Sequence, residues 1–194
     1  MRKRSYLLGI ILIGAGSVPW GASLAGAADG KLPRGVAIIQ GCGDQEITGT
    51  AVLTELPSDE GIKLVKVEMA VYGLSDGKHA VHIHEAGICE PCSAANGHHD
   101  PGPFGKTTPD APDFNHPFHM GDLVNIEVNN GLGIMKTVTN RVTLSPGRLS
   151  IFDEDGSAFI IHSQEDTYCN HEHQLNKSCA GGDRDACGII RSIQ

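Results

Sequence analysis

The sequence predicts an all-β domain, an antiparallel β-sandwich or flattened barrel of about eight strands with two long functional loops. Three observations predict it. No stretch of the chain shows a long apolar period of 3.6 residues. Short runs rich in β-branched residues recur instead, with clusters of Gly, Asp, Asn and Ser between them. Asn129-Asn130-Gly131 separates two such runs, and Asn-Gly in that setting marks a tight hairpin.

The chain opens with Arg2, Lys3 and Arg4, followed by the apolar run from Leu7 to Val18 and the small residues Ala25-Gly26-Ala27. That is the pattern of a secretory signal peptide over residues 1–27, with a single domain over 28–194. The apolar run is short and Gly-rich, so stable membrane insertion is not expected.

The strand-like runs then come in order. Val36 to Gln40 is the first, and Ile47 to Glu55 the second. Ile62 to Tyr72 partly alternates apolar and polar residues, as a half-buried strand does. Leu123 to Val128, Ile134 to Leu144 and Phe159 to His162 follow. Two segments break the rhythm. Glu85 to Gly121 is long and rich in Pro and Gly, and Ser163 to Arg184 is polar. Loops of that length in a compact domain are usually functional or disordered, and these two carry possible ligands and cysteines.

Composition narrows the function. The chain has 15 basic and 23 acidic residues. Removing residues 1–27 takes away three basic residues and no acidic ones, leaving a net charge of −11. Nucleic acid and anionic membrane surfaces are therefore not expected as partners. All 6 cysteines lie beyond residue 27. An even count in an exported chain favours disulfides, although 6 cysteines allow 15 connectivities. The Cys89-x-x-Cys92 spacing also suits zinc or redox chemistry, but no second such pair accompanies it.

Six of the 10 histidines fall between His82 and His119. His82 and His84 are two apart, so on a strand both imidazoles face one side. His98-His99 follows a tight Ala-Ala-Asn-Gly turn. His119 and Asp122 are close enough to chelate across a turn, and His162 ends the strand-like FIIH. Imidazoles with a carboxylate suit zinc or copper rather than calcium.

HAVHIHEAG, GHHDP, HMGDL, FIIH and GGDRDACGII, in that order, resemble the copper/zinc superoxide dismutase family, in the pattern of its secreted bacterial members. The resemblance covers most of the chain beyond residue 27. It implies a Greek-key β-sandwich and the disproportionation of superoxide to dioxygen and hydrogen peroxide. By motif, His82, His84, His98 and His162 match the copper ligands. His98 also matches the histidine shared with zinc, and it would carry a proton during turnover. His119 and Asp122 match two further zinc ligands. Arg184 matches the arginine that guides and holds superoxide, and Asp166 the carboxylate that links the two metal sites. His79 matches a structural histidine.

The chain departs from that pattern in places. The family's remaining zinc histidine has no counterpart near Lys106, where the sequence reads GKTTP. His116 is the candidate to replace it, ahead of His99, which stands where the family has an aromatic ring and is assigned to a packing or surface role; if neither serves, zinc is expected to be weak or absent and the protein to work with copper alone. Asp183 and Asp185 flank Arg184 and would weaken its pull on an anion, so activity is expected to depend on salt. Cys187 matches the family's C-terminal half-cystine, and Cys89 is preferred to Cys92 as its partner. Cys169–Cys179 would close a local loop and leave Cys42–Cys92. Cys169 also opens the motif CNHEH, which lies outside the family pattern and is assigned to a disulfide cysteine beside solvated histidines. An exported copper buffer or delivery protein without turnover is the competing expectation. A periplasmic or extracellular location is expected in either case. Monomer and homodimer are both open.

Overall fold

Ala80 is the point at which the sheet closes on itself. In a computed structural model that describes residues 31–59, 61–101, 116–169 and 179–193, nine strands run in chain order. They are β1 (Arg34–Gly41), β2 (Thr48–Leu56), β3 (Leu64–Tyr72), β4 (Gly77–His79), β5 (Val81–His84), β6 (Ile126–Asn129), β7 (Leu132–Thr139), β8 (Ala158–His162) and β9 (Arg184–Ile193). All pairings are antiparallel, in the spatial order β4-β6-β7-β3-β2-β1-β9-β8-β5. The two ends of that order, β4 and β5, are one run of chain interrupted by Ala80 alone. The sheet therefore curls into a nearly closed barrel, and β4 with β5 acts as a single strand shared between its edges. After β1, β2 and β3 the chain crosses to β4, and β6 and β7 return to fill the gap, which is a Greek-key crossover.

Local sequence explains most of the strands. In β3, Val65, Val67, Met69 and Val71 point into the core while the residues between them do not, the period-2 pattern of a strand with one wet face. Asn129 pairs with Leu132, and Asn130 and Gly131 take φ of 52° and 71°, so the Asn-Gly hairpin forms between β6 and β7. The run expected over Ile134 to Leu144 stops at Thr139, and the chain turns at Asn140 and Arg141.

Strand β9 is absent from the strand-like runs of the sequence. Asp185 and Gly188 break its pattern, and Asp183 immediately precedes it. Gly188 is nevertheless required there, because a Cβ would lie 2.7 Å from Ile39 Cδ1 and 2.8 Å from the Ile38 carbonyl oxygen.

Strand β5 and strand β8 are buried on both faces. Val81, Ile83, Phe159 and Ile161 join the barrel core. His82, His84, Ala158, Ile160 and His162 face outward, yet they too are buried, because the two long loops lie over them. Ala158, Ile160, Ala95 and Cys187 form a small second apolar cluster there, with Cys42, Cys89 and Cys92 against it. The structure pairs Cys42 with Cys92, Cys89 with Cys187, and Cys169 with Cys179. The first two staple the loop after β5 to the barrel, and the third closes the second loop locally.

Residues 1–27, Lys106 and Asn170 to His173 lie outside the described residues. From Lys31 onward the chain forms one compact unit. No helix among the described residues is long and apolar enough to cross a membrane.

Candidate metal centre

Strand alternation sets up the site. His82 and His84 project from the same outer face of β5. The register pairs His82 with Ile160 and His84 with Ala158, which puts His162 of β8 on that face as well. His162 in turn lies opposite Arg184 of β9, past an irregularity between Ile161 and His162. His98 reaches the group through the loop after β5, where its backbone bridges to His84.

One nitrogen from each of His82, His84, His98 and His162 lies within 4.8 Å of the others, and all four residues are buried. His84 donates Nδ1–H to the Asn96 carbonyl at 2.8 Å. His162 donates Nδ1–H to the Gly182 carbonyl at 3.0 Å. His82 directs Nε2 at Asp166 Oδ2 at 2.8 Å. Carbonyl oxygens only accept, so the bonded nitrogens of His84 and His162 carry the hydrogen and their other nitrogens carry lone pairs. Those other nitrogens, His84 Nε2 and His162 Nε2, and likewise His82 Nδ1, are buried without a hydrogen-bond partner. A buried polar atom left bare costs about 1–3 kcal/mol. Three bare nitrogens aimed into one cluster fit a metal that accepts their lone pairs. Burial pushes His84 and His162 well below the ordinary imidazole range, and neighbouring imidazoles add to the effect. Burial likewise lowers His98, to about 3. All three are neutral at physiological pH, the state that ligates.

The second cluster is different in kind. His82, His98, His116 and Asp122 bring ligand atoms within 4.8 Å of one another. His119 sits at its edge, with Nδ1 3.2 Å from Asp122 Oδ2 and its ring centroid 5.1 Å from that of His98. His98 Nδ1 meets Asp122 Oδ1 at 2.6 Å. His116 Nε2 meets Asp166 Oδ1 at 2.9 Å. Its Nδ1 lies 3.2 Å from Asp122 Oδ2 but makes no hydrogen bond. Burial alone would lower the His116 pKa, but Asp122 and Asp166 outweigh it and raise it to about 9. Burial raises both carboxylates and the imidazoles around them lower them further, so Asp122 and Asp166 both lie below the ordinary carboxylate range. Two carboxylates and neighbouring imidazoles, with Asp166 touching both His82 and His116, make a donor set that suits zinc.

The turn from His119 to Asp122 is pinned tightly. The His119 amide donates to Asp122 Oδ2 at 2.9 Å, and Gly121 exchanges backbone bonds with His99 and Ile83. A Cβ on Gly121 would lie 2.1 Å from the Ile83 carbonyl oxygen, so only glycine lets the turn approach β5. His99 is buried between these straps. His79 bridges the His162 carbonyl, 2.7 Å from Nδ1, and the Ser75 carbonyl, 2.9 Å from Nε2.

Arg184 points its guanidinium at the carbonyls of Cys92 and Asn96. Asn96 thus serves two groups with one oxygen, orienting His84 and Arg184 together. Asp185 is turned to Gln45, whose amide donates to it at 3.2 Å. Asn125 cradles Asp166, donating Nδ2–H to its carbonyl at 2.9 Å and accepting from its amide at 2.7 Å. Sequence reasoning did not find Asn96 or Asn125 in these roles. Asn96 left a trace in the Ala-Ala-Asn-Gly turn, where it takes a φ of 62°. Asn125 left none, because its partner lies 41 residues away.

The family model for copper/zinc superoxide dismutase matches residues 47–190. An extracellular superoxide dismutase [Cu-Zn] of Drosophila melanogaster is 35% identical over 129 residues, which are 65% of this chain and 67% of the fly protein. A superoxide dismutase [Cu-Zn] of Deinococcus radiodurans is 33% identical over 160 residues, 76% of this chain and 79% of the bacterial protein. The copper chaperone for superoxide dismutase of Mus musculus is 30% identical over 164 residues, 82% of this chain but 53% of the chaperone. Among solved structures, the crystal structure of the clock protein EA4 superposes with a TM-score of 0.64 at 26% identity, covering 82% of this chain and 94% of the other. Copper and zinc are the family's metals, and the two clusters have donor sets that suit them. The family match runs from the start of β2 into β9 and takes in both long loops, and the chain belongs to the copper/zinc superoxide dismutase family.

Proposed function

We propose that this protein disproportionates superoxide, converting two superoxide anions and two protons to dioxygen and hydrogen peroxide. In this reading His82, His84, His98 and His162 hold copper, and His98, His116, His119 and Asp122 hold zinc. The observation that supports it best is the trio of bare buried nitrogens on His82, His84 and His162, beside Arg184. Bound there, copper supplies a one-electron couple that zinc lacks.

The residues of the chain do the rest. Arg184 carries the positive charge that draws in and holds the anionic substrate, and the carbonyls of Cys92 and Asn96 fix its direction. Gln45 holds Asp185 to one side, which preserves the local field at the arginine. The carbonyls of Asn96 and Gly182 hold the tautomers of His84 and His162, and Asp166 orients His82. His98 places Nδ1 against Asp122, so Nε2 is the atom at which a proton is held and passed to reduced oxygen. An exported setting, periplasmic or extracellular, accords with three disulfides, with the basic and apolar N-terminus and with the extracellular fly relative.

A second reading has a specific observation behind it. The likeness to a copper chaperone supports copper delivery without turnover. Delivery needs the imidazoles but not Arg184, whose placement opposite His162 favours the enzyme. Metal analysis of the purified protein, followed by a superoxide-decay assay, separates the two. Turnover with bound copper supports the enzyme, and stoichiometric copper without turnover supports delivery.

A further inference from the structure

Arg141 belongs to neither cluster and to none of the motifs. It follows β7, in the turn where the long expected strand stops, and is half-buried. Its Nη1 donates to the Pro117 carbonyl at 3.0 Å and to the His119 carbonyl at 3.2 Å. Those two carbonyls lie within the short stretch that carries His116 and His119. At its downstream end that stretch is anchored to the barrel by the backbone bonds of Gly121. Further upstream, Arg141 makes two charge-assisted hydrogen bonds to it, the stronger kind. The backbone amide of Arg141 is itself tied to Thr139 Oγ1 at 3.2 Å, so the anchor stands on the end of a core strand.

We infer that Arg141 is a positioning residue for the zinc-side ligands, holding the backbone from His116 to His119 so that both imidazoles present to one ion. The inference rests on the reading that His116 and His119 ligate zinc. It matters because His116 stands in place of a ligand that occurs elsewhere in the family pattern. A ligand supplied from a new place in a loop needs its own backbone restraint, and Arg141 provides one. The geometry also separates positioning from simple charge. A guanidinium near a cation site repels the ion, so on charge alone its removal tightens zinc. Positioning predicts the opposite sign.

The test is zinc affinity, measured by competition with a chromophoric chelator on the otherwise intact protein. Arg141→Ala is expected to bind zinc about 10–100-fold more weakly, the usual cost of losing an outer hydrogen-bond partner of a metal site, while copper affinity is unchanged. Arg141→Lys keeps the charge but loses the planar fork, and is expected to recover only part of the loss. In a His116→Ala background, Arg141→Ala is expected to cost much less than it does alone, because it acts through the same ligands. Circular dichroism of each metal-free variant checks that the fold is kept. Unchanged or tighter zinc binding in a folded Arg141→Ala protein overturns the inference and leaves the zinc assignment intact. Full zinc affinity in His116→Ala overturns the assignment and the inference together.

Discussion

The two histidine clusters share His82 and His98 but are built on different principles. The four-imidazole cluster draws His82, His84 and His162 from β5 and β8, strands paired with each other, with β8 paired to β9 on its other side. Three of its nitrogens are bare, and the outer partners of its imidazoles are the carbonyls of Asn96 and Gly182 and the carboxylates of Asp122 and Asp166. The mixed cluster draws His116, His119 and Asp122 from a loop. Its groups are already paired with one another through Asp122 and Asp166. A site on strands is held open by the fold at the cost of unsatisfied nitrogens. The loop site leaves His116 Nδ1 bare too, but its imidazoles already face Asp122 and Asp166, and a metal must displace those contacts.

The largest expected effect falls on the strand-borne cluster. His84→Ala removes a proposed copper ligand outright, so copper content and superoxide decay are both expected to fall. The fall in rate should exceed the ~10–100-fold typical of losing an outer partner. Zinc content should hardly change. Metal analysis and the decay assay check this, and a matching loss of zinc would break the distinction between the clusters.

That contrast also explains what was legible in the sequence. His-x-His on a strand announces itself, because alternation forces both rings to one side. The Asn-Gly hairpin and the β3 pattern are equally local. On the zinc side the His119 and Asp122 spacing is local, but a metal role for His116 follows only from the resemblance and its missing histidine. Nothing local shows that His116 lies 2.9 Å from an Asp166 that is 50 residues away. Strand β9 escaped notice for a physical reason. Asp183 and Asp185 beside Arg184 and the glycine demanded by Ile38 and Ile39 are what disguise it.

Arg184→Ala should show an effect of a different kind, confined to the rate. Copper and zinc contents are expected to stay as they are, while the rate constant for superoxide decay falls by about 10–1000-fold, the range for lost electrostatic attraction. The dependence on ionic strength should flatten at the same time. A rate that stays equally salt-sensitive would mean that some other cation guides the substrate.

The smallest effect sharpens the comparison through pH. His116, with its pKa raised to about 9, is protonated at neutral pH in the metal-free protein. Zinc must displace that proton, so uptake at pH 7 should release about one proton from His116. Zinc affinity should weaken roughly tenfold per unit as pH falls below about 9. The sign for stability follows from the same shift. Without metal, the pairing of protonated His116 with Asp122 and Asp166 contributes fully below the ordinary imidazole pKa and is lost as pH rises through about 9. His84 and His162, held neutral by burial, have no proton to release. Calorimetry in buffers of different ionisation enthalpy would count the protons for each metal. Equal proton release by copper and zinc would contradict the contrast.

Anomalous diffraction at the copper and zinc edges of the metal-loaded protein tests the central claim most directly. The account predicts a copper peak among His82, His84, His98 and His162 and a zinc peak among His98, His116, His119 and Asp122. A zinc peak that leaves out His116, or copper found away from the four imidazoles, would contradict it.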